Sequence, residues 1–370
     1  MRLAFSTIPL ALSLITLAGC SCGDGSITTA DAGLGVDGGR TPDAATLPDG
    51  SAPDAGPGPD AGPPPPEDVR FVVMGDTGEG NESQRAVAVA IRELCATEGC
   101  DFVLLLGDNI YEAGVESVDD EQWQTKFEIP YADVDLPFYA VLGNHDYGGS
   151  LLGIQTGGLG NEWERGPIEV QYTMRSERWE MPATHYTLTF GNVGIIMLDT
   201  NSIVWGDTRH GDQRAWYAEA LREVEGSDWV IVAGHHPYLS NGQHGNAGDY
   251  ESIEVGGVEV PNPVPVLDGE NLRTFYDAEV CGTADVVLAG HDHNLQWMDE
   301  PDALCGAELI VSGAGCKTTA FASELNTTHF QDDTTPGFLY VVIEGDTFTG
   351  RFVDQEGRMM FERSVTRTER

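Results

Sequence analysis

The stretch VVLAGHDHN at residues 286–294 shows the pattern from which the fold can be predicted. A run of apolar residues ends in a glycine, and residues that bind metals follow at once. Continuous apolar runs are typical of strands that are buried on both faces. Ligand sites in such α/β folds lie at the carboxyl ends of the strands, where glycine lets the backbone come close to a bound group. Residues 284–289 are therefore predicted to form a strand that carries His291 and His293 to a binding site.

The same pattern occurs four more times, and the segments between the repeats complete the predicted fold. Residues 82–98 and 212–225 have helical periodicity, and the chain from Leu309 onward alternates as antiparallel strands closing a second sheet would. We therefore predict an α/β fold, a four-layer αββα sandwich of two mixed β-sheets flanked by helices. The four further apolar runs are residues 69–74 before Gly75-Asp76, 102–106 before Gly107-Asp108, 138–142 before Gly143-Asn144-His145, and 229–233 before Gly234-His235.

Carboxylates and imidazoles at five strand ends predict a metal centre. One aspartate after a strand is usually a turn residue, but five loops of the same design indicate a shared set of ligands. The chain carries 60 acidic and 19 basic residues, a net charge of −41, and only two lysines. This balance excludes nucleic acid as a partner, because binding to phosphate backbones needs clustered positive charge. Any attraction for an anionic substrate must come from a local positive source, which bound metal ions would supply.

The order of these motifs resembles that of the calcineurin-like metallophosphoesterases. Asp76-Thr77-Gly78 lacks the histidine that the superfamily usually has in its first motif, and Tyr111 in Gly107-Asp108-Asn109-Ile110-Tyr111 stands in its place. This exchange makes the chain more closely similar to the small purple acid phosphatases, the family of tartrate-resistant acid phosphatase. The resemblance covers residues 69–317 and implies the metallophosphoesterase fold.

The resemblance also implies a binuclear centre of Fe(III) and a divalent ion, either Fe, Zn or Mn. A phenolate and carboxylates are hard anionic donors that suit Fe(III), whereas a neutral amide and two imidazoles suit a divalent ion. The implied ligands are Asp76, Tyr111 and His293 for the ferric ion, Asn144, His235 and His291 for the divalent ion, and Asp108 as a bridge between them.

Two histidines are implied to act on the substrate. A metal-bound hydroxide would attack phosphorus, while His145 and His244 would bind the substrate and protonate the leaving group as general acids. Asp146 is placed to orient His145, and the insert at residues 148–181 is predicted to wall the active site.

The remaining four histidines are predicted neither to bind a metal nor to act on the substrate. His236 is predicted either to support a neighbouring ligand or to be exposed, and His185, His210 and His329 are predicted to be structural or surface residues.

The function that follows is that of an exported acid phosphatase acting on small phosphate monoesters. A phosphodiesterase or nucleotidase of the same fold is the alternative, since Tyr111 does not exclude diesters. A non-catalytic surface module is a third possibility, which the complete ligand set argues against. The protein is expected to be a monomer.

The N-terminal segment predicts export and anchoring. Residues 1–20 read as a lipoprotein signal peptide, in which Leu17-Ala18-Gly19-Cys20 resembles the bacterial lipobox and Cys20 would become lipidated. Ser21 after the cysteine favours the outer membrane of a bacterial cell envelope over the inner one, with a periplasmic or extracellular location as the alternative.

Residues 21–68 form a predicted disordered linker rich in Asp, Gly, Pro and Ala. The aspartates of this linker could alternatively bind calcium. The catalytic domain is predicted to span residues 69–370.

The cysteines allow disulfides, because an exported chain meets an oxidising environment. Cys20 set aside, the other six cysteines allow 15 pairings. We predict the pairs Cys95–Cys100 and Cys281–Cys305 and leave Cys22 and Cys316 unassigned.

Overall fold

The apolar run before Gly75-Asp76 forms a strand at the centre of the first sheet, as its composition predicts. In this computed structural model the described residues are 68–151, 154–155, 157–250, 253–255, 258–260 and 268–367. The predicted signal peptide and all of the predicted linker except Asp68 lie outside them, and so do Cys20 and Cys22. Within the described residues, no helix is long and apolar enough to cross a membrane.

The first sheet places four parallel strands beside three antiparallel ones. Each parallel strand is hydrogen-bonded to the next in the order β1, β2, β3 and β6, and the antiparallel strands extend the sheet from the other side of β1. Its described strands, from edge to edge, are β18 (Met359–Thr366), β17 (Thr347–Asp354), β16 (Gly337–Glu344), β1 (Asp68–Met74), β2 (Phe102–Leu105), β3 (Phe138–Ala140) and β6 (Trp179–Glu180).

The second sheet repeats this plan with a parallel centre and antiparallel edges. Its parallel strands are β8, β9, β12 and β14, and an antiparallel strand joins β8 at one edge while two follow β14 at the other. Its described strands are β15 (Thr328–Asp332), β13 (Leu295–Met298), β14 (Glu308–Ser312), β12 (Val286–Ala289), β9 (Trp229–Ala233), β8 (Val193–Met197) and β7 (Tyr186–Phe190).

The strands from Leu309 onward differ from the prediction in two respects. The first of them, β14, is parallel to β12. The last three, β16 to β18, are antiparallel as expected but extend the first sheet through the pairing of β16 with β1 instead of closing the second. The C-terminal segment therefore contributes strands to both sheets.

Helices cover the outer faces of the two sheets and complete the predicted sandwich. Alternate residues of one strand go to different layers: Ile195 of β8 packs in the core that includes the first sheet, and Ile196 packs with the helices of the second. The described α-helices are α1 (Glu82–Glu98), α2 (Gly166–Tyr172), α3 (Thr200–Trp205), α4 (Gln213–Glu223) and α5 (Glu270–Phe275), and the described hairpin strands outside the large sheets are β4 (Ser150–Leu151), β5 (Ile154–Gln155), β10 (Ile253–Val255) and β11 (Val258–Val260).

The helix α1 has the limits that its sequence predicts. The Asn81 side chain accepts a hydrogen bond of 2.8 Å from the Gln84 backbone N–H and so caps the first turn. Gly99 ends the helix with a φ of 83°, a conformation that glycine adopts without strain. The helix buries Val87, Ala88 and Ile91 against the first sheet's core.

The two predicted disulfides are confirmed. Cys95–Cys100 closes the turn between α1 and β2, and Cys281–Cys305 joins two loops beside β12, with Cα–Cα distances of 5.1 and 5.2 Å that suit disulfide geometry. Cys316 is a buried free thiol, and it donates a hydrogen bond of 2.8 Å to the Asp76 carbonyl oxygen.

Candidate metal centre

Loops from both sheets meet where the strands β1, β2, β3, β9 and β12 end. The His291 backbone N–H, from the second sheet, donates to Asp76 Oδ2 of the first at 2.9 Å. His235 Nδ1, also from the second sheet, lies 2.8 Å from the Leu106 carbonyl oxygen of the first. The site is thus assembled across the interface of the two sheets, and its candidate metal ligands lie in the loops that follow strand ends, as the sequence pattern predicts.

One side of this site, the tyrosine half, consists of Asp76, Tyr111 and His293. The Tyr111 hydroxyl lies 3.0 Å from Asp76 Oδ1 and 3.1 Å from His293 Nε2. His293 Nε2 is 3.5 Å from the same Asp76 oxygen. Three different donor atoms therefore surround one point, although Tyr111 and His293 follow strands of different sheets.

The other side, the amide half, consists of Asn144, His235 and His291. His235 Nε2 lies 2.9 Å from Asn144 Oδ1 and 3.1 Å from His291 Nδ1. The His235 ring is oriented by its other nitrogen, which donates to the Leu106 carbonyl oxygen, since a carbonyl can only accept. Its Nε2 thus carries a lone pair toward Asn144 and His291 when the ring is neutral.

Asp108 lies between the two halves. Its Oδ1 is 3.4 Å from His235 Nε2 in the amide half, and its carboxylate lies with the ligand atoms of Asp76 and His293 within 4.8 Å of one another. The His145 backbone N–H donates to Asp108 Oδ1 at 2.8 Å and fixes the carboxylate. Asp108 is placed to serve both halves, as a bridging ligand must.

The backbone is strained at the residues that deliver these groups. Asp76, Asp108 and His291 have φ values of 59°, 52° and 69°, in the left-handed region that side chains with a Cβ rarely adopt. Gly143 allows the close approach of two loops, because a Cβ there would lie 2.2 Å from Asp108 Oδ1. The carboxylate, phenol, amide and imidazole groups gathered here are a donor set that fits a binuclear metal centre.

Burial disfavours the charged forms of the acidic groups in this site. Burial is the main cause that raises the pKa of Asp76, to about 8, and burial together with the two aspartates raises the pKa of Tyr111 well above its usual value. Burial would also raise the pKa of Asp108, but His235 and His145 outweigh it and hold that pKa below its usual range. Metal cations would reverse the rise at Asp76 and Tyr111 and release their protons.

The pKa values of the histidines in the site differ because their neighbours differ. Burial opposes protonation of His235, but the Asp108 carboxylate overrides it and raises the pKa of His235 to about 9. Burial, followed by the charge of Lys317, lowers the pKa of His293 to about 3, and burial lowers the pKa of His291 well below its usual value. His291 and His293 are therefore neutral, which is the form that binds metals.

His145 lies beside Asp108 at the open side of the site. Its Nε2 is 4.0 Å from Asp108 Oδ2, its side chain is 22% exposed, and its Nδ1 lies 2.7 Å from the Glu112 carbonyl oxygen.

The Asp146 carboxylate does not orient the His145 ring, so that prediction is wrong. The buried Asp146 carboxylate instead accepts the backbone N–H groups of Asn109, Ile110 and Gly143 and holds two ligand loops together.

His244 reaches the amide half from the long segment after β9. Its ring stacks on that of His291 with centroids 3.9 Å apart, and its backbone N–H donates to Asp292 Oδ1 at 3.0 Å. The nine residues predicted for the site thus lie together in this structure, while their individual roles as ligands and acids stay predictions.

His236 and Thr200 support the amide half, and Thr200 was not among the predicted site residues. The Thr200 hydroxyl oxygen accepts the backbone N–H groups of both His235 and His236 at 3.0 Å and lies 2.9 Å from His236 Nδ1. His236 is buried, so the alternative of an exposed residue is wrong. Thr200 follows the strand β8, and its position after a strand end, next to Asp199, is the signal that could have found it.

The other histidines make contacts of the kind predicted for structural or surface residues. His185 packs against Trp216, His210 Nε2 lies 3.0 Å from the Trp163 carbonyl oxygen, and His329 pairs with Asp299 at 3.3 Å.

The insert at residues 148–181 contacts the site through Gly158. Its carbonyl oxygen accepts from Asn144 Nδ2 at 2.7 Å, and a Cβ on Gly158 would lie 2.4 Å from His145 Nε2. A groove of about 520 Å³ is lined by Glu112 and Gly157, and Glu112 is the residue whose carbonyl oxygen contacts His145 Nδ1. A cavity of about 50 Å³ lies on the other side, lined by Asn144, His236 and His291. The insert therefore borders the site, as predicted.

Comparison with known proteins adds a family match. The family described as calcineurin-like phosphoesterase matches residues 69–295, more than half of the chain. Among curated proteins, the chain is 26% identical to the tartrate-resistant acid phosphatase type 5 of Sus scrofa over 343 residues, which covers 83% of this chain and 89% of the relative. It is 27% identical to purple acid phosphatase 4 of Arabidopsis thaliana, over 68% of this chain and 70% of that one.

A solved structure supports the same fold. GAP50, described as the anchor in the inner membrane complex of Plasmodium, superposes with a TM-score of 0.58 at 18% identity, over 82% of this chain and 90% of its own. At that identity the likeness concerns the fold alone.

Proposed function

The chain belongs to the calcineurin-like phosphoesterase family, and on that premise we propose that it is an acid phosphatase of the purple type that hydrolyses phosphate monoesters. Its similarity to the purple acid phosphatases implies a hydrolase with a binuclear metal centre. One observation carries the finer proposal: the Tyr111 hydroxyl lies within 3.1 Å of both Asp76 and His293. A phenol in contact with a carboxylate and an imidazole suits Fe(III), whose preferred donors are hard and anionic.

Each half of the site would hold one ion. Asp76, Tyr111 and His293 would hold Fe(III); Asn144, His235 and His291 would hold Fe, Zn or Mn in the divalent state, with Asp108 shared. When bound, the two ions would supply Lewis acidity for the phosphoryl oxygens and a nucleophile derived from water at moderate pH.

His145 is proposed as the general acid. The Glu112 carbonyl oxygen can only accept, so His145 Nδ1 carries a hydrogen and Nε2 is the atom that takes up or gives away the catalytic proton. That nitrogen faces Asp108 at 4.0 Å, and the His145 side chain is 22% exposed, so a leaving alkoxide beside Asp108 would be within its reach. Protonation at this point converts a poor leaving group into an alcohol.

His244 is proposed to hold the phosphate, with proton donation as its secondary task. Its ring lies flat on His291 in the amide half. From there it can donate to a phosphate oxygen.

The substrate preference is tested by comparing p-nitrophenyl phosphate with bis-p-nitrophenyl phosphate across acidic and neutral pH, together with metal analysis of the purified protein. We expect iron, a visible charge-transfer band and faster turnover of the monoester. Faster turnover of the diester would establish the alternative phosphodiesterase or nucleotidase, and a protein inactive on both with full metal content would establish a non-catalytic module.

Export and anchoring through a lipidated Cys20 in a bacterial envelope remain part of the proposal. The disulfides Cys95–Cys100 and Cys281–Cys305 support an oxidising location. Labelling of cells with a fatty-acid probe tests the anchor: incorporation that disappears in Cys20→Ala is expected, and labelling that persists would contradict it.

A further inference from the structure

Both lysines of this acidic chain contact the same tyrosine. The sequence holds Lys126 and Lys317 as its only lysines, against 60 acidic residues. Lys317 Nζ lies 3.4 Å from the centroid of the Tyr111 ring, and Lys126 Nζ donates to the Tyr111 backbone carbonyl oxygen. The first contact acts on the electrons of the ring, whereas the second fixes the backbone.

Lys317 is held in place over the ring from several directions. Its ammonium pairs with Glu79 Oε1 at 2.7 Å. The preceding residue, Cys316, donates its thiol hydrogen to the Asp76 carbonyl oxygen and accepts from Asn81 Nδ2 at 2.9 Å. The backbone at Lys317 is therefore tied both to the loop that carries Asp76 and to the start of α1.

The position of the ammonium relative to the tyrosine half has an electronic consequence. An ammonium on the face of an aromatic ring attracts the π electrons, and at such a short distance a single charge acts strongly in a partly buried site. When Tyr111 binds a ferric ion, its charge-transfer band would arise from electrons of the ring that lies beneath the ammonium. The ammonium would raise the energy of this transition and make the phenolate a weaker donor.

We propose that Lys317 tunes the tyrosine half by lying on the Tyr111 ring, setting the colour and the reduction potential of the ion that Tyr111 binds. This inference rests on the proposed function, because it needs Tyr111 to be a ligand of a redox-active ion. Lys317 is a positioning residue that acts through Tyr111. Groups around a metal ligand commonly adjust a metal in this way.

The test compares Lys317→Met with one variant of opposite expectation and two controls. Lys317→Met removes the charge at similar length, so the charge-transfer band is expected to move to longer wavelength and the midpoint potential to fall. Glu79→Gln removes the partner that partly neutralises the ammonium, so the band is expected to move to shorter wavelength. Lys317→Arg keeps the charge and is expected to stay near the wild-type band, and Arg222→Met controls for loss of a distant positive charge from the exposed end of α4.

The outcomes separate this inference from the proposed function. Opposite shifts in Lys317→Met and Glu79→Gln at unchanged metal content would support it, since a structural disturbance has no reason to change sign. A coloured wild type whose band stays fixed in Lys317→Met would overturn the tuning alone. A colourless wild type that holds iron would overturn the tyrosine ligand of the proposed function, and the tuning with it.

Discussion

The two halves of the metal centre are built from the same kind of strand-end loop but differ in charge and surroundings. The tyrosine half gathers two groups that are anionic when metallated and has a lysine against its ring. The amide half consists of an amide and two imidazoles, which are neutral when they bind a metal, and a small cavity lies beside it. The comparison teaches that the difference between the two halves comes from a few side chains and not from different architecture. The following variants test it, from the largest expected effect to the smallest.

Asp108→Ala should break both halves together, since Asp108 is the residue placed between them. We expect loss of both metals and a fall in phosphatase activity of about a thousandfold or more, because the ions supply several kcal/mol of stabilisation in the transition state. Metal content and turnover measure the effect, with the exposed Asp135→Ala as the matched control. Retention of one ion in full would show that Asp108 belongs to one half only.

His145→Ala should separate proton donation from metal binding. Loss of a general acid is expected to slow an alkyl phosphate by about a hundredfold, and p-nitrophenyl phosphate by much less, because p-nitrophenolate leaves without a proton. His244→Ala, which removes the ring on His291, should slow both substrates alike and raise KM. An equal loss on both substrates in His145→Ala would remove it as the acid.

Tyr111→Phe should affect the tyrosine half alone. We expect the charge-transfer band to disappear and activity to fall about tenfold without being abolished, since Asp76 and His293 remain and loss of one supporting contact of a metal commonly costs about 10- to 100-fold. Absorption spectra and metal content of each site make the measurement. An unchanged spectrum would reject Tyr111 as a ligand.

His236→Phe should have the smallest effect and act on the amide half. The Thr200 oxygen already accepts two backbone N–H groups, so its own hydrogen goes to His236 Nδ1 and the ring carries its hydrogen on Nε2. For a phosphate bound in the cavity that His236 lines with Asn144 and His291, loss of this donor is expected to weaken inhibition by inorganic phosphate about fivefold, the worth of one neutral hydrogen bond. His185→Phe is the matched control, and equal inhibition in both variants would contradict a contact with the phosphate.

Strand ends and ligands were predictable because each motif is local. An apolar run, a glycine and a ligand residue lie within about ten positions, so the sequence predicts the strands β9 and β12 together with His235 and His291. The disulfide Cys95–Cys100 was predicted from the turn between a helix and a strand, and Cys281–Cys305 from the stretch of helix and strand that its cysteines bracket. The two-sheet assembly added the rest: nothing near Asp146 in the chain indicates that its carboxylate would bind three backbone N–H groups of two loops.

The pairing of the last strands and the position of Lys317 show the same limit. An alternating pattern predicts that β16 is a strand, but its partner β1 lies more than 250 residues earlier. Lys317 reads as an ordinary surface lysine until the fold places it on Tyr111. Long-range partners of this kind depend on packing, which one sequence does not encode in any short segment.

The left-handed backbone at Asp76, Asp108 and His291 affects how the sequence would evolve. Each such residue costs about 1 kcal/mol or more, a noticeable share of the net stability of a domain, about 5–15 kcal/mol. A descendant released from catalysis would gain stability by replacing these three residues with glycine or asparagine. Loss of enzymatic activity would therefore begin with substitution of the ligands themselves, and it would leave a more stable protein with the same fold.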